Sequence, residues 1–160
     1  MIPTSLQNSY HNAISWTATF IPSLKKKKMC EAVSSVIVRE DKILLLHRSQ
    51  KVRTNQGKWS VVSGELEQGQ TVIATALNEI MEETKLQEAQ VKLLRIGGNI
   101  IVRPKPDSET LVHLLLFESS SWVITINWEH DESRWVSLDE LEDFDLVPEF
   151  DSLLTSLKLF

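Results

Sequence analysis

Glu79, Glu82 and Glu83 are the residues best suited to chemistry in this chain. They stand at i, i+3 and i+4, a spacing that puts side chains on one helical face about 5–6 Å apart. Carboxylates that close repel, and each pair weakens a helix by about a few tenths of a kcal/mol. A divalent cation removes that penalty, because clustered carboxylates are the hard oxygen ligands that Mg²⁺, Mn²⁺ or Ca²⁺ prefers. Mg²⁺ takes few protein carboxylates and completes its shell with water and substrate phosphate. An isolated E-x-x-E-E is also a common solvated helix face. The segment in front, 63–70 (SGELEQGQ), gives this one a different context: it has two glycines and one aliphatic residue, Leu66, and reads as a loop feeding the helix.

The glutamates need a helix to hold them, and 71–84 supplies one. Ile73, Ala76, Leu77 and Ile80 fall at 3.6-residue spacing, and Thr71 suits the N-cap. At 100° per residue the three acids centre about 120° from that apolar stripe, so the stripe can bury while the acids meet at its edge. Residues 33–38 (VSSVIV) and 42–47 (KILLLH) are β-rich runs split by Arg39-Glu40-Asp41, a hairpin signal. Residues 50–58 form a polar loop and 59–62 (WSVV) a short strand. Four more strands are predicted at 91–101, 111–117, 122–128 and 133–136, with Gly97-Gly98 bending or bulging the first. Ser137 and Glu140 form a capping-box pair, and 148–157 reads as a closing helix with Pro148 near its first turn. Strands with a few helices predict a mixed α/β (α+β) sandwich.

Composition bounds the function. The 160 residues are 42% hydrophobic and 24% charged, enough to bury the core of one ordinary domain. Five Gly and five Pro exclude collagen-like and low-complexity classes. The single cysteine, Cys30, excludes a disulfide framework and a Cys-rich zinc module and fits a reducing compartment. No apolar run approaches the roughly 20 residues of a membrane span. The net charge of -5 is unevenly spread. Residues 1–58 carry ten Lys/Arg and three Asp/Glu, whereas 59–160 carry seven and nineteen. An acidic body with a basic flank suits a cation-plus-phosphate ligand and argues against duplex nucleic acid; uneven solvated charge is the plainer reading.

The segment 64–86 (GELEQGQTVIATALNEIMEETKL) resembles the Nudix box, G-x5-E-x7-R-E-U-x-E-E-x-G-U, where U is a bulky aliphatic residue. Gly64, Glu79, Ile80, Glu82, Glu83 and Leu86 match in register. Gln70, Asn78 and Lys85 depart from the box Glu, Arg and second Gly. The approach 57–64 (GKWSVVSG) and the later 132–141 (ESRWVSLDEL) also resemble the family's flanking segments, so the likeness spans about residues 31–157.

That resemblance implies a Nudix-type α/β/α sandwich with a mixed β-sheet, covering 30–160. It implies hydrolysis of a diphosphate linkage, in a nucleoside diphosphate joined to another group, by water activated on Mg²⁺ (or Mn²⁺). Carried over by position, Glu79, Glu82 and Glu83 are metal ligands, Gly64 contributes its carbonyl, and Glu82 or Glu83 positions or deprotonates the water. Glu129 and Glu132, in 128–135 (WEHDESRW), are the candidates for the further acid that many members bring from a distal loop, with a solvated turn as the other reading. His130 reads more readily as a surface turn residue than a base, and His113 as a core or pocket-wall residue. Arg48, Lys51, Arg53 and Lys58 lie in an eleven-residue stretch without an acid; if that loop borders the helix, as in the family, they could hold phosphates, with an ordinary basic loop as the other reading. One of Trp59, Trp128 and Trp135 could stack a base, or all three could be core. In the family the box arginine holds the glutamates by charge-assisted hydrogen bonds; outer-shell losses of this kind cost about 10–100-fold. The departures therefore keep a second expectation open, a Nudix-fold binding or regulatory module with little or no hydrolysis. Lys85 would also lack the ease of a glycine at the helix end.

A narrower likeness, carried by 52–59 (VRTNQGKW), 127–130 (NWEH) and 145–148 (DLVP), is to fungal Nudix modules fused to a domain related to the alpha subunit of initiation factor 2B. The 160 residues contain no such second domain, and no role in translation is carried over. Residues 1–29 contain no acid, are Ser/Thr-rich and end in four lysines and Met29. They read as a partly disordered extension. A cytoplasmic protein is expected, with an organelle as the alternative because acid-poor, Ser-rich leaders target organelles. The expected partner is a small diphosphate substrate derived from a nucleotide, and a homodimer is compatible with the family.

Overall fold

The computed structural model describes residues 29–159; the expected N-terminal extension lies outside the described residues except for Met29. Eight strands form one sheet: β1 (Met29–Arg39), β2 (Lys42–Arg48), β3 (Trp59–Ser60), β4 (Val62–Glu65), β5 (Val91–Ile96), β6 (Ile100–Lys105), β7 (Ser108–Ser119) and β8 (His130–Ser137). Two α-helices, α1 (Val72–Thr84) and α2 (Phe150–Ser156), and two 3₁₀ turns, Glu88–Gln90 and Leu138–Asp143, complete the described chain. The main strand order is β3-β2-β1-β7-β5. β1 and β7 run parallel over ten residue pairs, from Met29↔Glu109 to Val38↔Glu118. β4 pairs antiparallel with β1, β6 with β7, and β8 with β2. The sheet is therefore mixed, as expected.

Alternation along the central strands builds a core on each face. Val36, Ile43 and Leu45 pack towards α2 with Phe150, Leu153 and Leu154. Val33, Ile37, Leu44 and Leu46 pack towards α1 with Ala76 and Ile80. Helices on both faces give the α/β/α sandwich.

The hairpin turns at Glu40, whose φ is 54°. Helix α1 begins as expected: Thr71 has extended backbone angles and its Oγ1 accepts a hydrogen bond from the Ala74 amide at 3.1 Å. Four expectations are corrected. The 63–70 loop is shorter, because β4 runs on to Glu65 to pair with β1. The 91–101 strand is two strands, β5 and β6, that meet β7 at different places. Residues 122–128 are not a strand: Thr125 N–H donates to the Thr84 carbonyl at the end of α1, while Ile124 and Ile126 pack into the α1-side core. Helix α2 also starts later than the expected 148, at Phe150.

Helix α1 ends at Lys85, where the sequence pattern wants glycine. Lys85 adopts the left-handed conformation itself (φ 60°, ψ 10°), and its amide donates to the Met81 carbonyl. A residue with a Cβ gives up about 1–2 kcal/mol there, while glycine costs about 0.4–1 kcal/mol through its freer unfolded chain. Lys85→Gly is expected to stabilise the protein by about 0.5–1 kcal/mol, raising the melting temperature by about 2–4 °C per kcal/mol. Calorimetry checks this; a lower melting temperature would mean the Lys85 Nζ hydrogen bond to the Glu82 carbonyl outweighs the backbone strain.

Candidate active site

Helix α1 brings its three glutamates to very different environments. Glu82 is exposed, Glu79 half-buried and Glu83 almost wholly buried, at 1% exposure. Period 3.6 explains this: Glu83 lies one turn beyond Glu79 and three residues beyond Ile80, so its stem follows the buried stripe inward. Its carboxylate accepts a hydrogen bond from the Ser63 backbone and lies 3.1 Å from His130 Nε2.

His130 corrects the expectation of a surface turn residue. It opens β8 and is 4% exposed. A regular strand would put it on the face of Glu132 and Arg134, and the Arg134 guanidinium lies over Trp59 and Phe144 in the α2-side core. The β2–β8 register slips between His47↔Glu132 and Arg48↔His130, leaving Asp131 as the extra residue. Bulges re-aim side chains, and this one turns His130 through to the α1 face. Asp131 pairs with His47 instead.

Glu83, Glu129 and His130 each offer a ligand atom, all within 4.8 Å of one another. The turn holding Glu129 is pinned in three places. Glu129 N–H donates to Asn127 Oδ1, the Glu129 carbonyl accepts from the Ser49 amide, and Ser49 Oγ donates to the Trp128 carbonyl. Gly64, on β4, lies directly against Glu79. A Cβ there would sit 2.2 Å from Glu79 Cδ and 2.3 Å from Oε1. The missing side chain is the space that Glu79 fills.

The crowding is visible in the proton affinities. Burial, then Glu83, Glu82, Glu129 and Glu67, push Glu79 up to about 7. Burial and Glu129 hold Glu83 well above the ordinary carboxylate range. Burial lowers His130 to about 4, so it is neutral at physiological pH. Arg48 is the nearby cation that acts on both Glu83 and Glu129; burial lowers its proton affinity and those acids raise it. Its Nε donates to the Thr54 carbonyl at 3.0 Å. The box position that usually carries arginine, Asn78, is exposed, as is Gln70.

These donors fit a hard divalent cation. Oxygens predominate, the acids are partly desolvated, and at Glu83 the Ser63 hydrogen bond and then Arg48 offset only part of the repulsion. The nitrogen, His130 Nε2, is already engaged by Glu83. Glu79, Glu83 and Glu129 would hold the ion with Glu82 at the rim, and the Glu79–Gly64 contact keeps Glu79 in line.

The remaining candidates are placed elsewhere. Glu132 pairs with Arg134 on the opposite side of β8 and does not join the cluster. Arg53 and Lys51 are exposed, and Lys58 forms an ion pair with Asp145 at 2.7 Å. His113 bonds Glu31 at 2.7 Å across β7 and β1. Cys30 is exposed. Trp59 is core, and Trp135 donates to the Trp122 carbonyl; Trp128 is 60% exposed.

The raised carboxyls make the metal-free protein sensitive to pH. A group that holds its proton more tightly when folded adds stability below its unfolded value, and that stability is lost as pH rises through the folded one. Glu79 goes from about 4.5 unfolded to about 7 folded. With chelator present, stability to urea is therefore expected to fall between about pH 4.5 and pH 7, and saturating Mg²⁺ should flatten that fall. Equal pH profiles with and without Mg²⁺ would show that the ion does not meet these acids.

The family model for the NUDIX domain matches residues 29–157. The asymmetrical bis(5'-nucleosyl)-tetraphosphatase of Rattus norvegicus is 33% identical over 86 residues, which is 51% of this chain and 57% of that protein's length. Among solved structures, the binary complex of a C. elegans Ap4A hydrolase superposes with a TM-score of 0.70 at 20% identity, covering 82% of this chain and 97% of the other. The MutT protein from Methanosarcina mazei Go1 gives 0.68 at 25% identity, covering 84% and 96%. Among the described residues no helix is long and apolar enough to cross a membrane. Since the box lies on α1, as in the sequence pattern, and the family model takes in most of the chain, the chain belongs to the NUDIX domain family.

Proposed function

We propose that the protein hydrolyses a diphosphate linkage in a nucleotide-derived substrate, using Mg²⁺ or Mn²⁺. The observation that carries this reading is Glu83, a buried carboxyl on the helix that bears the box, crowded by Glu129 and Glu82. Burying acids together is costly unless a partner of opposite charge arrives. When bound, a divalent cation supplies a water of lowered pKa and neutralises charge on the leaving phosphate.

The residues of the chain then divide the work. Glu79, Glu83 and Glu129 fix the charge centre. The Ser63 amide and His130 fix the Glu83 carboxylate, so its free lone pairs point one way. Glu82, exposed on the same helix face, is the base that takes a proton from the attacking water. Arg48 links this cluster to a pocket of about 320 Å³ on the α2 side. Ala32, Val102, Val112, Phe150 and Leu153 give that pocket apolar walls, while Thr54 and Asn55 give it polar atoms. An apolar slot with a few polar groups suits a nucleoside, and Arg48 at its edge suits the phosphate next to it. The free, exposed Cys30 supports the cytoplasm as the compartment.

A panel of nucleotide sugars, dinucleoside polyphosphates, NADH and capped RNA tests the reading. Product release in Mg²⁺ or Mn²⁺ that chelator abolishes is expected for at least one class. No turnover by folded protein would overturn it. The exposed Asn78 and Gln70 favour a second reading, a ligand-binding module; calorimetry that shows tight nucleotide binding without turnover would establish that one.

A further inference from the structure

Asp131 stands at the break in the β2–β8 ladder. Before it, the turn 127–129 is pinned by the Glu129 N–H bond to Asn127 Oδ1 and by two bonds from Ser49, to the Glu129 and Trp128 carbonyls. After it, residues 132–137 pair one by one with 47–42. Asp131 lies between these two fixed segments, so the course of the chain there depends on where its side chain goes. Its carboxylate accepts a hydrogen bond from His47 Nδ1. His47 is a firm anchor. Its ring lies 4.9 Å from that of Trp59, which meets Phe144 edge-on at 5.2 Å in the α2-side core.

The alternative register shows what this bond decides. An unbroken ladder would put Asp131 opposite Arg48, where His130 now stands. Strand alternation would then aim Asp131 at the α1 face with Trp135, and His130 at the other. Glu83 would lose the imidazole that lies 3.1 Å away. Glu129 directly precedes His130, so turning one re-aims the other. We propose that the His47–Asp131 pair is a positioning clamp. By holding Asp131 on the His47 side it keeps the bulge in place, and with it His130 and Glu129 in the acidic cluster. Neither clamp residue is a ligand; both act through His130 and Glu129. The consequence for metal binding rests on the proposed diphosphate chemistry, whereas the aim of His130 does not.

Two measurements on the full chain test it. The first needs no metal: diethyl pyrocarbonate labels accessible imidazoles, and peptide mass spectrometry reads each histidine separately. His130, at 4% exposure, should resist labelling in the wild type. Asp131→Ala is expected to label His130 about tenfold faster or more, as is His47→Phe, which keeps a ring against Trp59 but no N–H. Asp131→Asn keeps an oxygen for His47 and should protect His130 as the wild type does. The second measurement is affinity for Mn²⁺ alone, from the spin-resonance signal of the free ion. Asp131→Ala and His47→Phe should each bind it about 10–100-fold more weakly, and the double variant no more weakly than either. Asp131→Asn should stay within about threefold of the wild type. A pair that only supports the fold would lower the melting temperature and leave both readouts alone, which would overturn the clamp. So would Mn²⁺ losses that add in the double variant, or a loss in Asp131→Asn equal to that in Asp131→Ala, since the acid would then act by its own charge. Should Asp131→Ala fail to fold, His47→Phe carries the same two readouts. A wild type that binds no Mn²⁺ defeats the metal reading instead, and the labelling of His130 still decides the clamp.

Discussion

Glu83→Gln is expected to lower kcat/KM for the best substrate by about 10²–10⁴-fold without harming the fold. The substitution keeps the size of the side chain and its ability to meet His130 and the Ser63 amide. It removes a carboxylate charge held at 1% exposure. In metal-free protein that charge is a burden, because burial strips its water and Glu129 repels it. The variant should therefore be as stable as the wild type, or more so, in chelator, while losing most of the stabilisation that Mg²⁺ gives the wild type. A drop in activity together with a gain in metal-free stability is the mark of a site whose strain exists for function. Glu82→Gln is the companion measurement: Glu82 is exposed, so its loss acts on rate and leaves stability alone. If neither variant lowers the rate by about tenfold, the assigned cluster is not the reacting site.

The parts of this site that follow local periodicity were legible in the sequence, and the parts created by a break in periodicity were not. Thr71, the apolar stripe and the three glutamates all obey the helical period, and α1 forms as that period predicts. Residues 124–128 (ITINW) alternate apolar and polar, the signature of a strand, but the Thr125 amide finds its acceptor on the end of α1 rather than on a neighbouring strand. Docked loops can alternate too, when one side of them faces a core. Gly97 is likewise set by a distant element: a Cβ there would come within 2.8 Å of Leu157 Cδ2. His130 was hidden for a related reason. Period 2 assigns it to the Glu132 face, and a single extra residue, Asp131, reverses that. The missing box arginine is a third case. Asn78 shows the charge is gone from α1, but that Arg48 acts on Glu83 and Glu129 from β2 depends on the folding of one layer against another.

Gly64→Ala is expected to cost about 10²-fold in turnover while leaving the melting temperature nearly unchanged. The two halves of that expectation come from one contact. The new methyl would lie 2.2 Å from Glu79 Cδ, 2.3 Å from Oε1 and 2.6 Å from Cγ, so one of them must move. Gly64 is not among the residues with positive φ, and β4 is extended there, so alanine suits the backbone. The atoms in its way are the end of a half-buried, flexible side chain, which can rotate outward at little cost. The fold therefore absorbs the change, and Glu79 gives up its place beside Glu83. A shift of about 1 Å in a positioning group is worth about 10²-fold in rate. The same shift takes Glu79 away from Glu83 and back into water, so its proton affinity should fall towards that of an ordinary carboxyl. In chelator the loss of stability towards pH 7 should then shrink. Turnover, melting temperature and the pH profile of the metal-free variant separate these effects. Wild-type turnover in Gly64→Ala would show that Glu79 does no work from the position the fold assigns it.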